Sequence, residues 1–305
     1  MKRTPIIFPD FREFNKLIRQ GNLIPVYYEL RADTETPVSA FMKLKSSRNC
    51  FLLESVEGGE KWARYSFIGL NPSMIIASKG TDVTVVKGRR RQHITSDNPL
   101  TVLRTIMRSY RPVPVAGLPR FFGGAVGYVG YDMVRFFERL PVRTQDSLGW
   151  HDAYFMITDT LVIFDNIKHN LKIVVNVYVD ETTTSPAAAY ERARTTIARI
   201  IEQLNKPLPK SLPRQTYHRV SVTSNMQKKT FLDMVAKARQ YIRAGDIIQV
   251  VLSQRFATPL RTDPFELYRA LRVVNPSPYM YFMQLHDAAL VGSSPEVLVR
   301  LERNE

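Results

Sequence analysis

Cysteine is nearly missing from this sequence, with Cys50 the single example in 305 residues. One cysteine excludes an internal disulfide and any cysteine-cluster metal site. Long apolar runs are missing too, and none reaches the length that spans a membrane. The first residues, Met1-Lys2-Arg3-Thr4-Pro5, lack the apolar stretch and cleavage site of a signal peptide. Acidic residues are outnumbered, 28 Asp and Glu against 43 Lys and Arg, which leaves a formal net charge of +15. A balance of that kind suits nucleic acid in principle. The basic residues are scattered, however, and the only dense run is Lys87-Gly88-Arg89-Arg90-Arg91. That run falls where a turn between two strands is expected, with no zinc-finger spacing or aromatic RNA-binding motif beside it. We read it as solvated basic surface. Two further causes of the charge stay open: attraction of an anionic substrate, and an acidic portion of chain outside these residues. The expectation is a cytoplasmic protein with neither a nucleic-acid nor a membrane partner.

What is present describes a soluble globular chain, with 44% hydrophobic and 23% charged residues. Its length suggests about two domains or one large one. Asp10 to Gln20 patterns as a short amphipathic helix with Phe11, Phe14, Leu17 and Ile18 on one side. Ile24 to Leu30 alternates as a strand, and Pro37 to Lys43 reads as helix. Phe51-Leu52-Leu53-Glu54-Ser55 is a short apolar strand ending in an acid and a hydroxyl, the ordinary pattern of a buried strand meeting solvent. Ser73 to Ser78, Asp82 to Lys87 and Gln92 to Thr95 read as strands joined by glycine-containing turns. Pro99 opens a helix carrying Leu100, Leu103, Ile106, Met107 and Tyr110. The glycines of 122–132 fit neither GxGxxG nor P-loop spacing, so they are assigned to close backbone packing in a sheet. Ala153 to Phe164 and Leu171 to Val179 read as two strands of one hairpin. Pro186 to Leu204 is a helix with Ser185-Pro186 at its start. Asn205 to Val220, with Pro207, Pro209 and Pro213, reads as a linker.

The most informative stretch follows. Phe231, Met234, Val235, Ala238, Tyr241 and Ile242 recur at helical spacing, with Ser224 and Gln227 as a capping box. Gly245 stops the helix. Ile247 to Phe256 then reads as a strand, with Ile248, Val250, Leu252, Gln254 and Phe256 on a core-facing side. The other side carries Gln249, Ser253 and Arg255, and from the strand alone a solvated polar face explains it. Pro264 to Val274 reads as a helix, and Asn275-Pro276-Ser277-Pro278 as a loop whose carbonyls are free to accept. Tyr279 to Leu285 and Ala289 to Ser293 form a pair turned at His286-Asp287, and Pro278-Tyr279-Met280 alone is an ordinary strand entry. Helices interspersed with hairpins argue for α+β with antiparallel sheets rather than a doubly wound parallel sheet.

Ala244 to Phe256, AGDIIQVVLSQRF, resembles the signature of the chorismate-utilising enzymes, most closely their anthranilate synthase component I branch. The likeness continues through Asn275-Pro276-Ser277-Pro278-Tyr279-Met280-Tyr281 and Gly292-Ser293-Ser294-Pro295-Glu296. Upstream it includes Leu52-Leu53-Glu54-Ser55, residues 60–69, Gly123-Gly124-Ala125-Val126-Gly127-Tyr128, Arg135 and Glu138-Arg139-Leu140-Pro141. The blocks keep the family's order over most of the chain. The resemblance implies two antiparallel sheets packed as a sandwich with outer helices. It implies an N-terminal region over 1–204, a linker over 205–220 and the start of the chorismate-binding domain over 221–305. It implies a tryptophan pocket for feedback inhibition formed by Glu54, Ser55, Asn275, Pro278, Tyr279 and Met280. A carboxylate can accept from the ligand's ammonium, a hydroxyl can serve either end of an amino acid, and Met280 and Tyr279 can pack an indole. Trp62 is assigned to packing, and His286 is given no catalytic role.

The implied reaction is a lyase step, chorismate and ammonia giving anthranilate and pyruvate, with magnesium on the substrate carboxylate and ammonia from a glutamine amidotransferase subunit. Relatives that add water carry a lysine where this chain has Gln249, which is expected to line the pocket. An amide cannot act as the base that water requires, and ammonia requires none. This does not separate anthranilate synthase from aminodeoxychorismate synthase, although the Glu54 and Tyr279 blocks favour the former. The chain ends at Glu305, before the resembled family's Gly-Thr-Arg block, catalytic histidine and magnesium carboxylates. We therefore expect no catalytic residue within it and only part of a two-sheet core. The alternatives are a fragment of aminodeoxychorismate synthase, or a non-catalytic tryptophan-binding or subunit-binding module.

Overall fold

The computed structural model describes residues 6–45, 48–55, 64–142, 144–180, 183, 185–209 and 220–301. Trp62 and most of the expected linker lie outside these residues. The chain forms two compact units, Met1–Pro209 with Leu267–Glu305, and Lys210–Glu266.

The first unit opens with helix α1 (Phe11–Leu17), whose start is fixed by the Asp10 carboxylate accepting from the Glu13 amide at 2.8 Å. Strand β1 (Leu23–Arg31) follows, then α2 (Pro37–Leu44), which has a true capping box between Thr36 and Ser39. Next come β2 (Cys50–Glu54), β3 (Tyr65–Leu70), β4 (Met74–Lys79), β5 (Asp82–Lys87) and β6 (Arg90–Thr95). The basic run sits on the β5–β6 hairpin as expected, and its side chains are exposed. Helix α3 (Pro99–Arg108) has Pro99 at its first position and the Asn98 side chain accepting from the Leu100 amide. Strand β7 (Gly124–Val129) and a 3-10 turn (Tyr131–Phe136) lead to β8 (Ala153–Thr158), β9 (Thr160–Asp165) and β10 (Asn170–Tyr178). Helix α4 (Pro186–Leu204) is capped by Ser185 and buries Tyr190, Ala193, Ile197, Ile200 and Leu204 at helical spacing.

All ladders between these strands are antiparallel. One sheet runs β1-β10-β9-β3-β2, continued by β13 (Tyr279–Leu285) and β14 (Ala288–Ser294), and the other runs β6-β5-β4-β8-β7. The two sheets share one core, where Phe51, Leu161, Ile163 and Val174 of the first meet Ala77, Val126, Tyr154 and Met156 of the second. On the second sheet's other face, Met74, Val83, Val85 and Ile157 take the apolar side of α3. Met156 and Ile157 thus serve opposite faces, as strand alternation requires. The sandwich of antiparallel sheets with helices outside is the expected α+β fold.

Two strands differ from expectation. Ala153 to Phe164 is not one strand. β8 pairs with β4 and β7, whereas β9 pairs with β3 and β10, so the chain changes sheets at Asp159. A continuous apolar run carries no mark of such a crossing. Strand β13 pairs with β14 as expected, but its other edge, expected to be left open, pairs with β2.

In the second unit, helix α5 (Lys228–Ala244) ends at Gly245 with φ +80°, as expected. The Ser224–Gln227 capping box does not form. The Ser224 hydroxyl instead accepts from the Met226 amide and the Gln254 side chain. The strand expected over Ile247–Phe256 is also absent, and only β12 (Phe256–Ala257) pairs, with β11 (Thr223–Ser224). A strand exists through its ladder, and among the described residues 247–255 have none. Ile248 of the expected core-facing side is 97% exposed. Helix α6 (Pro264–Val274) then carries the chain into the first unit.

Candidate functional site

Strands β2 and β13 pair so that Glu54 stands opposite Met280 and Leu52 opposite Phe282. This register joins two sequence blocks that lie at opposite ends of the chain. Alternation puts Met280 and Phe282 on one face, where Phe282 meets Phe41 of α2 and Tyr268 of α6.

Glu54 is buried, with a side chain only 2% exposed. A carboxylate in such a place requires partners, and α6 supplies them. The Tyr268 hydroxyl donates to Oε2 at 2.6 Å, and Arg272 Nη2 donates to Oε1 at 3.2 Å. Arg272 Nε is 3.0 Å from Oε2, an ion-pair contact whose angle does not make a hydrogen bond. Burial pushes the Tyr268 hydroxyl well above the ordinary tyrosine pKa, and the charge of Glu54 and its hydrogen bond add to this, while Arg272 opposes. Tyr268 is therefore a firm donor. Neither it nor Arg272 was among the residues expected at the site. Their spacing of four, one helical turn, is the sequence signal that puts them on one side of α6.

Ser55 follows the end of β2 and is half-buried. Asn275 directly follows α6 and is exposed, and its carbonyl is not free, since it accepts from the Ser293 hydroxyl at 2.7 Å. Ser277 is buried, and its hydroxyl donates to the Ser294 carbonyl. Pro278 and Tyr279 are half-buried. Tyr279 adjoins Met280 in β13, so it faces the opposite side of the sheet, with Tyr281. The structure therefore brings Glu54 and Met280 together and turns Tyr279 away from both. Gln249 belongs to the unit Lys210–Glu266, where it is exposed.

A pocket of about 800 Å³ lies elsewhere, between α3 and strands β4 to β6, lined by Val85, Ile94, Val102, Lys87, Arg90 and Arg91 among others. It contains none of the expected residues. Among the described residues no group of three or more His, Cys, Asp or Glu side chains could hold a metal ion.

A family model described as chorismate binding enzyme matches residues 48–305. The chain belongs to the chorismate binding enzyme family. Anthranilate synthase component 1 of Acetivibrio thermocellus is 41% identical to this family member over 300 residues, covering 97% of this chain and 61% of that protein. The corresponding protein of Synechocystis sp. is 41% identical over 308 residues, covering 98% of this chain and 61% of the relative. The chain thus spans less than two thirds of the length of these curated relatives. The crystal structure of anthranilate synthase component I from Streptococcus pneumoniae superposes with a TM-score of 0.66 at 29% identity, over 90% of this chain and 59% of that one. The two-sheet architecture is shared with that structure. No helix among the described residues is long and apolar enough to cross a membrane.

Proposed function

We propose that this chain is a part of an anthranilate synthase component I. With a glutamine amidotransferase subunit, the whole enzyme would convert chorismate and ammonia to anthranilate and pyruvate with release of water, under feedback inhibition by tryptophan in the cytoplasm. The observation that carries this reading is the 41% identity to anthranilate synthase component 1 sustained over 97% of the chain. Gln249 agrees with ammonia as the nucleophile, since it offers no base for water. The division into 1–204, 205–220 and 221–305 belongs to the same proposal.

Magnesium belongs to the proposed whole enzyme, where it would hold the substrate carboxylate. The described residues supply no cluster suited to it. What this chain's residues would contribute is effector binding. Glu54 would accept from the tryptophan ammonium, Met280 beside it would pack the indole, and Ser55, Asn275, Pro278 and Tyr279 would complete the surroundings. The pairing of Glu54 with Met280 supports this assignment.

The test combines this chain with the complementary C-terminal segment of the Acetivibrio thermocellus relative, and supplies chorismate, ammonium and magnesium. Fluorescent anthranilate is expected. Aminodeoxychorismate in its place would favour the other amine-transferring branch, and no amine product would reject the enzymatic reading. For the effector, calorimetric titration of this chain with tryptophan should show saturable binding that Ser55→Phe removes. Equal affinity in the variant would reject Ser55 as a contact.

A further inference from the structure

The carboxylate of Glu54 is closed to an incoming ligand. Both oxygens are engaged, Oε2 by Tyr268 and Arg272 and Oε1 by Arg272. The side chain is 2% exposed, so an ammonium cannot simply be added beside the partners already present. One of them has to give way, and the two are not equal. Tyr268 is fully buried and its ring packs at 6.1 Å from Phe282. Its withdrawal would empty part of the core. The Arg272 side chain is 35% exposed and can extend into water without opening a cavity. Arg272 also carries the same charge as an ammonium, so exchanging one for the other keeps Glu54 neutralised.

We infer that Arg272 is a resident competitor for the effector's ammonium, covering Glu54 in the ligand-free chain and leaving it when a primary ammonium binds. The inference rests on the tryptophan reading of Glu54 and gives that site its regulation. Tyr268 stays in place and positions the carboxylate in both states. The exchange has a consequence beyond the pocket. Arg272 stands three residues before Asn275, so its release removes one tie from the end of α6 that leads into Asn275-Pro276-Ser277-Pro278. A ligand shifts a conformational balance only through contacts that differ between the two states. Here the differing contact is the pairing of Arg272 with Glu54.

The competition lowers apparent affinity by the fraction of chains in which Glu54 is uncovered. Removing the competing charge should therefore tighten binding. The experiment titrates the full 305-residue chain by calorimetry, as wild type, Arg272→Met and Arg272→Lys. The probes are tryptophan, tryptamine (ammonium without carboxylate) and indolepropionate (carboxylate without ammonium). Arg272→Met should bind tryptophan and tryptamine about tenfold more tightly than wild type, with indolepropionate unchanged. Arg272→Lys, which lacks the bidentate fork, should fall between. Unchanged or weaker tryptamine binding in folded Arg272→Met overturns the inference. If that variant does not fold, Arg272→Lys decides the matter by the same criterion. If wild type binds no tryptophan, the effector reading fails by itself. A gain in tryptamine affinity on substitution would still uphold the exchange at Glu54, and its absence would still reject it.

Discussion

The Tyr268 hydroxyl reaches Glu54 across 214 positions of sequence and donates to it at 2.6 Å. This bond, with the Arg272 pair, fastens helix α6 to strand β2. Between these two elements lies most of the chain, including the whole of the five-stranded sheet. The tie therefore joins the last strands of the large sheet, through α6 and its following loop, to one of its inner strands. It also explains how a charged side chain is tolerated beside Met280 and Phe282 in a buried layer.

The first prediction concerns that bond. Tyr268→Phe keeps the ring but removes the donor, leaving a buried carboxylate with less support. Hydrogen bonds to charged groups contribute about 1.5–3 kcal/mol. The variant should therefore unfold in urea at a lower midpoint with an unchanged slope. The pH dependence has a definite sign. The native Tyr268 pKa is raised, so its contribution is fully present below the unfolded tyrosine value of about 10 and is lost as pH rises through the native one. Tyr268→Phe should lose that alkaline component. An unchanged urea midpoint would mean that the bond contributes nothing net.

A second prediction follows from the backbone contact between β7 and β8. A Cβ built on Gly127 would lie 1.8 Å from the Tyr154 carbonyl oxygen. The obstacle is backbone in the middle of a ladder, so no side-chain rotation relieves it. Gly127→Ala should cost about 3 kcal/mol or more, at the upper end of overpacking effects. Thermal unfolding would measure this. A variant as stable as wild type would show that the two strands can separate without penalty.

Elements set by local chemistry were legible in the sequence. Helices Pro186–Leu204 and Pro264–Val274 were read with their observed limits, because proline starts and apolar periodicity are local signals. The β5–β6 and β13–β14 hairpins were legible for the same reason. The site was legible only in part. Glu54 and Met280 were both named, but their register is decided by a ladder between distant strands. The spacing of Tyr268 and Arg272 was visible, yet nothing near them in sequence points to a carboxylate in β2. The misreadings share this origin. Alternation marked 247–256 as strand, but alternation cannot supply a partner, and the apolar run of 153–164 does not reveal that its halves join different sheets.

The third prediction concerns the crossing at Asp159. Burial raises its carboxyl pKa, with the Ser73 hydroxyl and the Lys87 charge pulling the other way. A raised native pKa means that the folded chain holds the proton more tightly. The contribution is then fully present below the unfolded carboxyl value of about 3.9 and is lost as pH rises through the native one. At neutral pH the ionised group is a net burden. Asp159→Asn should raise the melting temperature at pH 7, and the gain should shrink as pH falls towards 4. A lower melting temperature at pH 7 would show that the carboxylate's contacts outweigh its burial.

The last prediction concerns the unit Lys210–Glu266. No residue of helix α5 is buried, although its apolar positions recur at helical spacing. In the following segment Ile248 is 97% and Val251 83% exposed. Exposed apolar side chains of this kind bind hydrophobic dyes and favour association. The purified chain should therefore brighten such a dye in its folded state and elute as associated species at high concentration. Ile248→Glu with Val251→Glu should reduce both effects. Neither side chain is packed, and surface substitutions usually stay within about 0.5 kcal/mol each. The melting temperature should accordingly move by only about 4 °C at most for the pair. Dye fluorescence, size-exclusion chromatography and thermal unfolding of the two proteins side by side provide the measurement. A large loss of stability in the double variant would mean that Ile248 and Val251 are packed in solution. An unchanged dye signal would place the sticky surface on α5.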